Sequence, residues 1–188
     1  MKVTATNVPG VVVLEPRVFR DPRGYFLETF QSRTFRDAGL PEVFVQDNHS
    51  FSAARGILRG LHAQLQSPQG KLVRAVQGEV FDVAVDLRPD SPAFGSWFGA
   101  VLSGENFLQL YVPPGCAHGF VVLSETAHFE YKCTRLYDRA DEIGLAWDDP
   151  EVGIAWPPGP PPLLNDRDRA FPRLAELRPR LEPYRGLM

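Results

Sequence analysis

Residues 81–88, FDVAVDLR, put Phe81, Val83, Val85 and Leu87 on one side of an extended chain and Asp82, Ala84 and Asp86 on the other. A period of two is the signature of a β-strand whose faces differ. KLVRAVQ (71–77), NFLQLYV (106–112), HGFVVL (118–123) and HFEYKCTRLY (128–137) read the same way. Gly78, Pro89, Gly104 and Pro113-Pro114-Gly115 stand between these segments, where the chain must turn. Helical patterning is confined to SRTFRDAG, with Ser32 as N-cap and Gly39 as terminator, and to a short stretch around LAEL near the C-terminus. The PPGPPP run after Trp156 reads as an extended connector. Many short strands with little helix predict an all-β sandwich or barrel, a jelly roll first among them. No internal repeat or boundary divides the chain. Residues 1–188 are expected to form one domain with a short C-terminal extension from about residue 157.

Composition narrows the function classes. A chain of 188 residues, 44% apolar and 23% charged, is that of a globular protein with a substantial core. Its net charge of −3 argues against a nucleic-acid partner, although a local arginine cluster can still hold a small anion. The longest apolar run near the N-terminus, Val11 to Leu14, is far too short for a membrane span. Met1-Lys2 is not followed by a signal-type apolar stretch, so a cytoplasmic protein with no membrane partner is expected. Cys116 and Cys133 form neither a disulfide framework nor a zinc spacing and are expected to be reduced and buried.

The polar residues of RGLHAQ (59–64) interrupt what otherwise reads as a buried strand. Arg59, His62 and Gln64 imply either a solvated edge or a strand lining a cavity. Strand parity can turn His118 and Tyr131 toward one interior, while Lys71 shares a face with Val73, Ala75 and Gln77. A lysine at a barrel mouth needs, by itself, no explanation beyond a snorkelling side chain. A metal site of the cupin kind wants two histidines one residue apart, then a glutamate. Here Gln64 stands for the second histidine and Pro68 or Gln69 for the glutamate, and an amide oxygen replaces imidazole poorly on a transition metal. No metal and no other cofactor is expected.

Taken together, DPRGYFLETF (21–30), QDNHSFS (46–52), RGLHAQ, QGKLVRAVQGEVFDVAVDLR (69–88), PPGCAHGF (113–120), YKCTRLY (131–137) and the DRD of LLNDRDRAFP carry a resemblance. The chain resembles the dTDP-4-dehydrorhamnose 3,5-epimerases, metal-independent cupins of nucleotide-sugar biosynthesis, from about Gly10 to Leu174. The resemblance implies a cupin jelly roll, or double-stranded β-helix, with a few short peripheral helices. It also implies inversion of C3 and C5 of dTDP-4-dehydro-6-deoxy-D-glucose, giving dTDP-4-dehydro-L-rhamnose on the way to dTDP-L-rhamnose. Both carbons flank a ketone, and their protons are far less acidic than an imidazolium of pKa about 6.5. Such a site needs a base, an electrophile at the carbonyl oxygen and a proton donor on the opposite face. By the resemblance His62 is the base, Asp168 its carboxylate partner, Lys71 the cation beside the enolate oxygen and Tyr131 the donor. Arg23 and Arg59 match diphosphate contacts, which guanidinium suits. Phe26, Glu28, Gln46 and Asn48 match nucleotide or sugar contacts, Tyr137 stacks on thymine, and His118, Glu142 and Arg167 complete the set.

The family arrangement further implies a homodimer whose N-terminal strand crosses to the neighbour, so that Arg23, Phe26 and Glu28 complete the other subunit's site. Ala63, Cys116 and Asn165 depart from the family's usual aromatic, phenylalanine and serine without removing a reacting group. They leave open a single-centre (C3 or C5) epimerase or ketoisomerase of a secondary-metabolite deoxysugar pathway. From other classes, a metal-dependent cupin oxygenase would contain bound metal, and a non-catalytic cupin would bind dTDP-sugars without proton exchange. One tension is internal to the strand: residues 59 and 62 have opposite parity, so both can face one cavity only across a bulge, expected at Gly60.

Overall fold

The alternating segments pair into two antiparallel sheets in the computed structural model, which describes residues 1–187. The larger sheet runs in the order β1 (Lys2–Ala5), β2 (Val12–Glu15), β10 (Gln109–Val112), β7 (Lys71–Gln77), β12 (Ala127–Cys133), β5 (Gln46–Ser52). The smaller runs β13 (Glu142–Gly144), β6 (Leu58–Gln64), β11 (Cys116–Val122), β8 (Glu79–Asp86), β9 (Trp97–Ser103). Strands distant in sequence lie side by side, β10 between β2 and β7 and β11 between β6 and β8, which makes the expected jelly roll. β3 (Val18–Asp21) and β4 (Gly24–Leu27) form a separate exposed hairpin.

Three apolar layers follow from the alternation. Val73, Ala75, Leu110, Val112 and Phe129 of the larger sheet meet Val80, Ala84, Leu102, Phe120 and Val122 of the smaller one between the sheets. The outer face of the smaller sheet, with Val83, Val85 and Leu87, is covered by the C-terminal segment through Leu174, Leu177, Leu181 and Tyr184. Both faces of β8 are therefore buried, and its acidic side, Asp82 and Asp86, points inward with no exposure at all. On the outer face of the larger sheet, Phe35 of α1 (Ser32–Asp37) packs on Leu14, Leu72 and Tyr111.

Several boundaries differ from the sequence expectation. The N-cap of α1 is Gln31, whose side chain accepts the Thr34 N–H at 2.7 Å, and Ser32 is the first helical residue. Gly39 does end the helix, at φ +73°. NFLQLYV is strand only from Gln109. The Asn106 carboxamide accepts the Ser103 and Leu108 N–H groups and donates to Val101 O, a local wrap that turns the chain with Phe107 at φ +58°. HFEYKCTRLY leaves the sheet after Cys133, because the next residues are held by side chains instead of a ladder: Gln69 donates to Arg135 O, Gln64 to Leu136 O, and Gln46 accepts the Tyr137 N–H. The LAEL helix is present as α3 (Leu174–Leu177), preceded by an unforeseen short turn of helix, α2 (Asp166–Arg169).

Candidate active site

The parity tension in RGLHAQ resolves at a β-bulge. Arg59 pairs with Phe120 and His62 with His118, so Gly60 and Leu61 together oppose Gly119. Arg59 and His62 both face the space between the sheets, while Leu61 and Ala63 join the outer layer beneath the C-terminal segment. Gly60 has φ +111°, and a Cβ there would lie 2.7 Å from His118 O and 2.9 Å from Gly119 Cα. Only glycine fits.

The cavity so formed has a volume of about 340 Å³. Its walls bring together His62, Lys71, Tyr131 and Asp168 with Gln46, Asn48, Arg59, His118, Tyr137, Glu142 and Arg167. His62 Nε2 is 2.9 Å from Asp168 Oδ1, and the Gly60 N–H donates to the other carboxylate oxygen at 2.9 Å. Asp168 sits in α2, where Asn165 caps its N–H at 2.7 Å. Burial works to raise the Asp168 pKa, but the bonds from His62 and Gly60 and the nearby Arg167 outweigh it and hold the carboxyl below its ordinary range. An ionised carboxylate only accepts, so Nε2 carries the ring proton and Nδ1 is left with its lone pair. Phe171 meets the imidazole edge-on, 5.4 Å between centroids at 87°.

Lys71 reaches across from the larger sheet, its Nζ 3.5 Å from His62 O. Burial pushes its pKa down, against the fields of Cys133, Glu142 and Asp82. Tyr131 comes from the same sheet as Lys71, and its phenol is pushed up by burial, so it stays a proton carrier at neutral pH. A carboxylate-backed imidazole on one wall thus shares a cavity with a phenol on the other.

These features coincide with a clear kinship. The family profile for dTDP-4-dehydrorhamnose 3,5-epimerase matches residues 5–176. The chain belongs to that family. It is therefore an isomerase-class enzyme with the cupin jelly-roll fold. It is 56% identical over 170 residues to the dTDP-4-dehydrorhamnose 3,5-epimerase of Pseudomonas aeruginosa, covering 90% of this chain and 93% of that one. The dTDP-6-deoxy-D-glucose-3,5-epimerase of Legionella pneumophila, solved in complex with dTDP-4-keto-L-rhamnose, superposes with a TM-score of 0.92 at 44% identity, covering 96% of each chain. The 3'-monoepimerase ChmJ of Streptomyces bikiniensis, in complex with dTDP-quinovose, is 36% identical with a TM-score of 0.87, covering 93% of this chain and 88% of that one.

Around the epimerase cavity, which it helps to line, Arg59 donates to Ser52 Oγ and Phe51 O. The Tyr137 phenol donates to Glu142 Oε2 at 3.2 Å, and Arg167 pairs with the same carboxylate. Arg23, Phe26 and Glu28 lie elsewhere in the single chain: they line surface grooves of the β3–β4 hairpin region, with Arg23 paired to Asp21 and Phe26 69% exposed. Among the residues that sequence reasoning missed are Asp82, Phe171 and Ser50. Asp82 places both carboxylate oxygens on His118 Nε2, at 3.1 and 2.9 Å. An acidic residue on a strand whose other face is wholly apolar was the available signal, and it pointed equally to a solvated face.

Proposed function

We propose that this epimerase inverts C3 and C5 of dTDP-4-dehydro-6-deoxy-D-glucose, with His62 as base, Asp168 as its orienting partner, Lys71 as the electrophile at the 4-keto oxygen and Tyr131 as the opposing proton donor. The observation that carries the reading is the His62–Asp168 pair at 2.9 Å in one wall of a cavity whose other wall supplies Lys71 and Tyr131. Removal of the proton next to the ketone leaves an enolate, which Lys71 stabilises as charge develops on oxygen. Return of a proton from the Tyr131 side inverts the centre. Higher identity to the two 3,5-epimerases than to the 3'-monoepimerase supports action at both carbons.

Arg59, with Gln46, Asn48, His118, Glu142 and Arg167, would hold the dTDP-sugar, and the half-exposed Tyr137 ring would stack on thymine. The β3–β4 hairpin exposes Phe19, Tyr25 and Phe26 and extends Arg23 away from its own cavity, which supports a homodimer in which the hairpin completes the partner's site. Residues 1–188 then act as one domain, and its free, buried cysteines fit a reducing cytoplasm.

The test is exchange in deuterium oxide, followed by NMR of the dTDP-4-keto sugar. The expected result is deuterium at both C3 and C5. Uptake at one carbon alone would favour the single-centre alternative, and no uptake would refute the epimerase reading.

A further inference from the structure

We infer that Phe171 is a positioning residue for His62, a wall that keeps the imidazole turned to Asp168 and aimed into the cavity. The inference rests on the reading of His62 as the base. It assigns work to a residue that does not itself line the cavity.

The need for a wall arises in the strand pairing. His62 is paired with His118 of β11 on one side and with Gly144 of β13 on the other. Leu61 and Leu145 exchange both of their backbone bonds, at 3.3 and 3.0 Å. His62 and Gly144 are therefore the next, non-hydrogen-bonded pair, the kind whose side chains approach most closely. Glycine offers no side chain at that close position, and an imidazole beside an empty place is free to lean into it. Phe171 takes the place instead. A Cβ on Gly144 would overlap Cγ, Cδ1 and Cε1 of the Phe171 ring. The ring stands perpendicular to the imidazole, at 87° with 5.4 Å between centroids, a T-shaped contact.

Asp168 alone does not fix the ring. One bond, Nε2 to Oδ1 at 2.9 Å, holds a single atom of the imidazole and lets the rest pivot about it. Phe171 blocks that pivot on the β13 side. The same turn delivers both restraints: α2 carries Asp168, ends at Ala170, and is followed at once by Phe171. Pro172 O then accepts the Ala146 N–H at 2.9 Å, which pins the segment just beyond β13. Ordinary core packing does not account for the ring. Phe171 is only partly buried and joins none of the three apolar layers.

The experiment has a kinetic arm and a spectroscopic arm. Phe171→Ala removes the wall, and Phe171→Leu keeps most of its bulk. Phe171→Ala is expected to lower kcat by roughly 10–10²-fold, as misplacing a reacting group by about 1 Å can, with KM within about threefold because the ring is no part of the cavity wall. Phe171→Leu should keep both constants within about threefold of wild type. In unliganded protein, ¹H–¹⁵N NMR should show a His62 Nε2–H signal in wild type and Phe171→Leu, and Phe171→Ala should lose it to exchange with water. A ring that served stability alone would lower Tm and leave that signal, and the split between kcat and KM, untouched. Phe171→Ala with kcat within about threefold of wild type, with an unchanged His62 signal, or with its loss carried by KM overturns the inference. So does a Phe171→Leu protein as slow as Phe171→Ala. Should Phe171→Ala not fold, Phe171→Val replaces it under the same criteria. The NMR arm needs no substrate, so the wall can be refuted while the epimerase reading stands; that reading fails instead if the wild type exchanges no deuterium.

Discussion

Gly60→Ala tests whether the bulge is what holds His62 and Asp168, the proposed catalytic pair, in place. The new Cβ would meet two backbone atoms, His118 O at 2.7 Å and Gly119 Cα at 2.9 Å, in the middle of a paired strand where neither can retreat alone. The backbone at φ +111° adds a conformational cost of roughly 1–3 kcal/mol for any residue with a Cβ. Forcing a methyl group into filled space adds roughly 1–3 kcal/mol more. A loss of about 2–6 kcal/mol is a large share of the roughly 5–15 kcal/mol that stabilises a domain. For a chain of this size it corresponds to a drop in Tm of about 5–20 °C. Activity should fall further than stability. Gly60 also donates to Asp168, so a shift of about 1 Å in the bulge misplaces His62 and Asp168 together and, on the proposed mechanism, costs on the order of 10²-fold in kcat. Calorimetry and deuterium exchange at a temperature where the variant is folded measure the two effects. Gly159→Ala, with nothing within 4 Å of its Cβ, is the control and should stay within about 0.5 kcal/mol of wild type. A Gly60→Ala protein that melts with the control and exchanges at the wild-type rate would show that the bulge does not fix the site.

Other perturbations separate the remaining roles. His62→Asn should abolish deuterium uptake at both carbons while dTDP-sugar binding persists, and Asp168→Asn should cost on the order of 10²–10⁴ in rate; normal uptake at either carbon in His62→Asn would place the base elsewhere. Asp168 also predicts a pH dependence. Its depressed folded pKa means that its contribution to stability is complete above the unfolded value of about 3.9 and is lost as pH falls through the folded one. The stability gap between wild type and Asp168→Asn in urea should therefore be constant near neutrality and shrink below about pH 4; a gap unchanged by acid would contradict the assigned partners. Exhaustive chelation should leave turnover intact, and activity lost on chelation but restored by one divalent ion would revive the metal-cupin alternative. Finally, inactive Arg23→Ala and inactive His62→Ala refolded together at equal amounts should regain activity at roughly a quarter of all sites if the hairpin is shared, because about half the dimers are mixed and each holds one intact site. No recovery, with mixed dimers confirmed by mass, would exclude sharing.

Where the chain alternates without interruption, as in β7, β8 and β11, strand positions could be read from the sequence, and so could the bulge at Gly60, because Arg59 and His62 demanded it. The strand ends at Asn106 and Thr134 could not, since side chains from distant segments, or a local carboxamide wrap, replace the ladder there. The pairing of His62 with Asp168, 106 residues on, came from family resemblance and from no spacing rule. Asp82 escaped because alternation shows that two faces differ without showing that either meets water. The cover over the apolar face of β8 comes from residues about 90 further on, Leu174 and Leu177, in a segment that by itself reads only as a short helix. Arg23, Phe26 and Glu28 are legible as site residues only through the family, because the single chain does not bring them to its own cavity.

Gln64 stands where the metal-cupin pattern would have its second histidine, and its bonds show what the side chain holds here. Its amide donates to Ser67 O and Leu136 O, its carbonyl accepts the Asp138 N–H, and its backbone oxygen accepts from the buried Tyr184 phenol of the C-terminal segment. One residue therefore ties the loop that carries Tyr137 to the tail that seals the outer face of the smaller sheet. Gln64→His would introduce an imidazole and at the same stroke unfasten that loop, leaving the Asp138 N–H and the Ser67 and Leu136 carbonyls without their partner. An imidazole at position 64 would therefore need compensating changes elsewhere, because the Tyr137 loop and the C-terminal tail are both fastened to this residue.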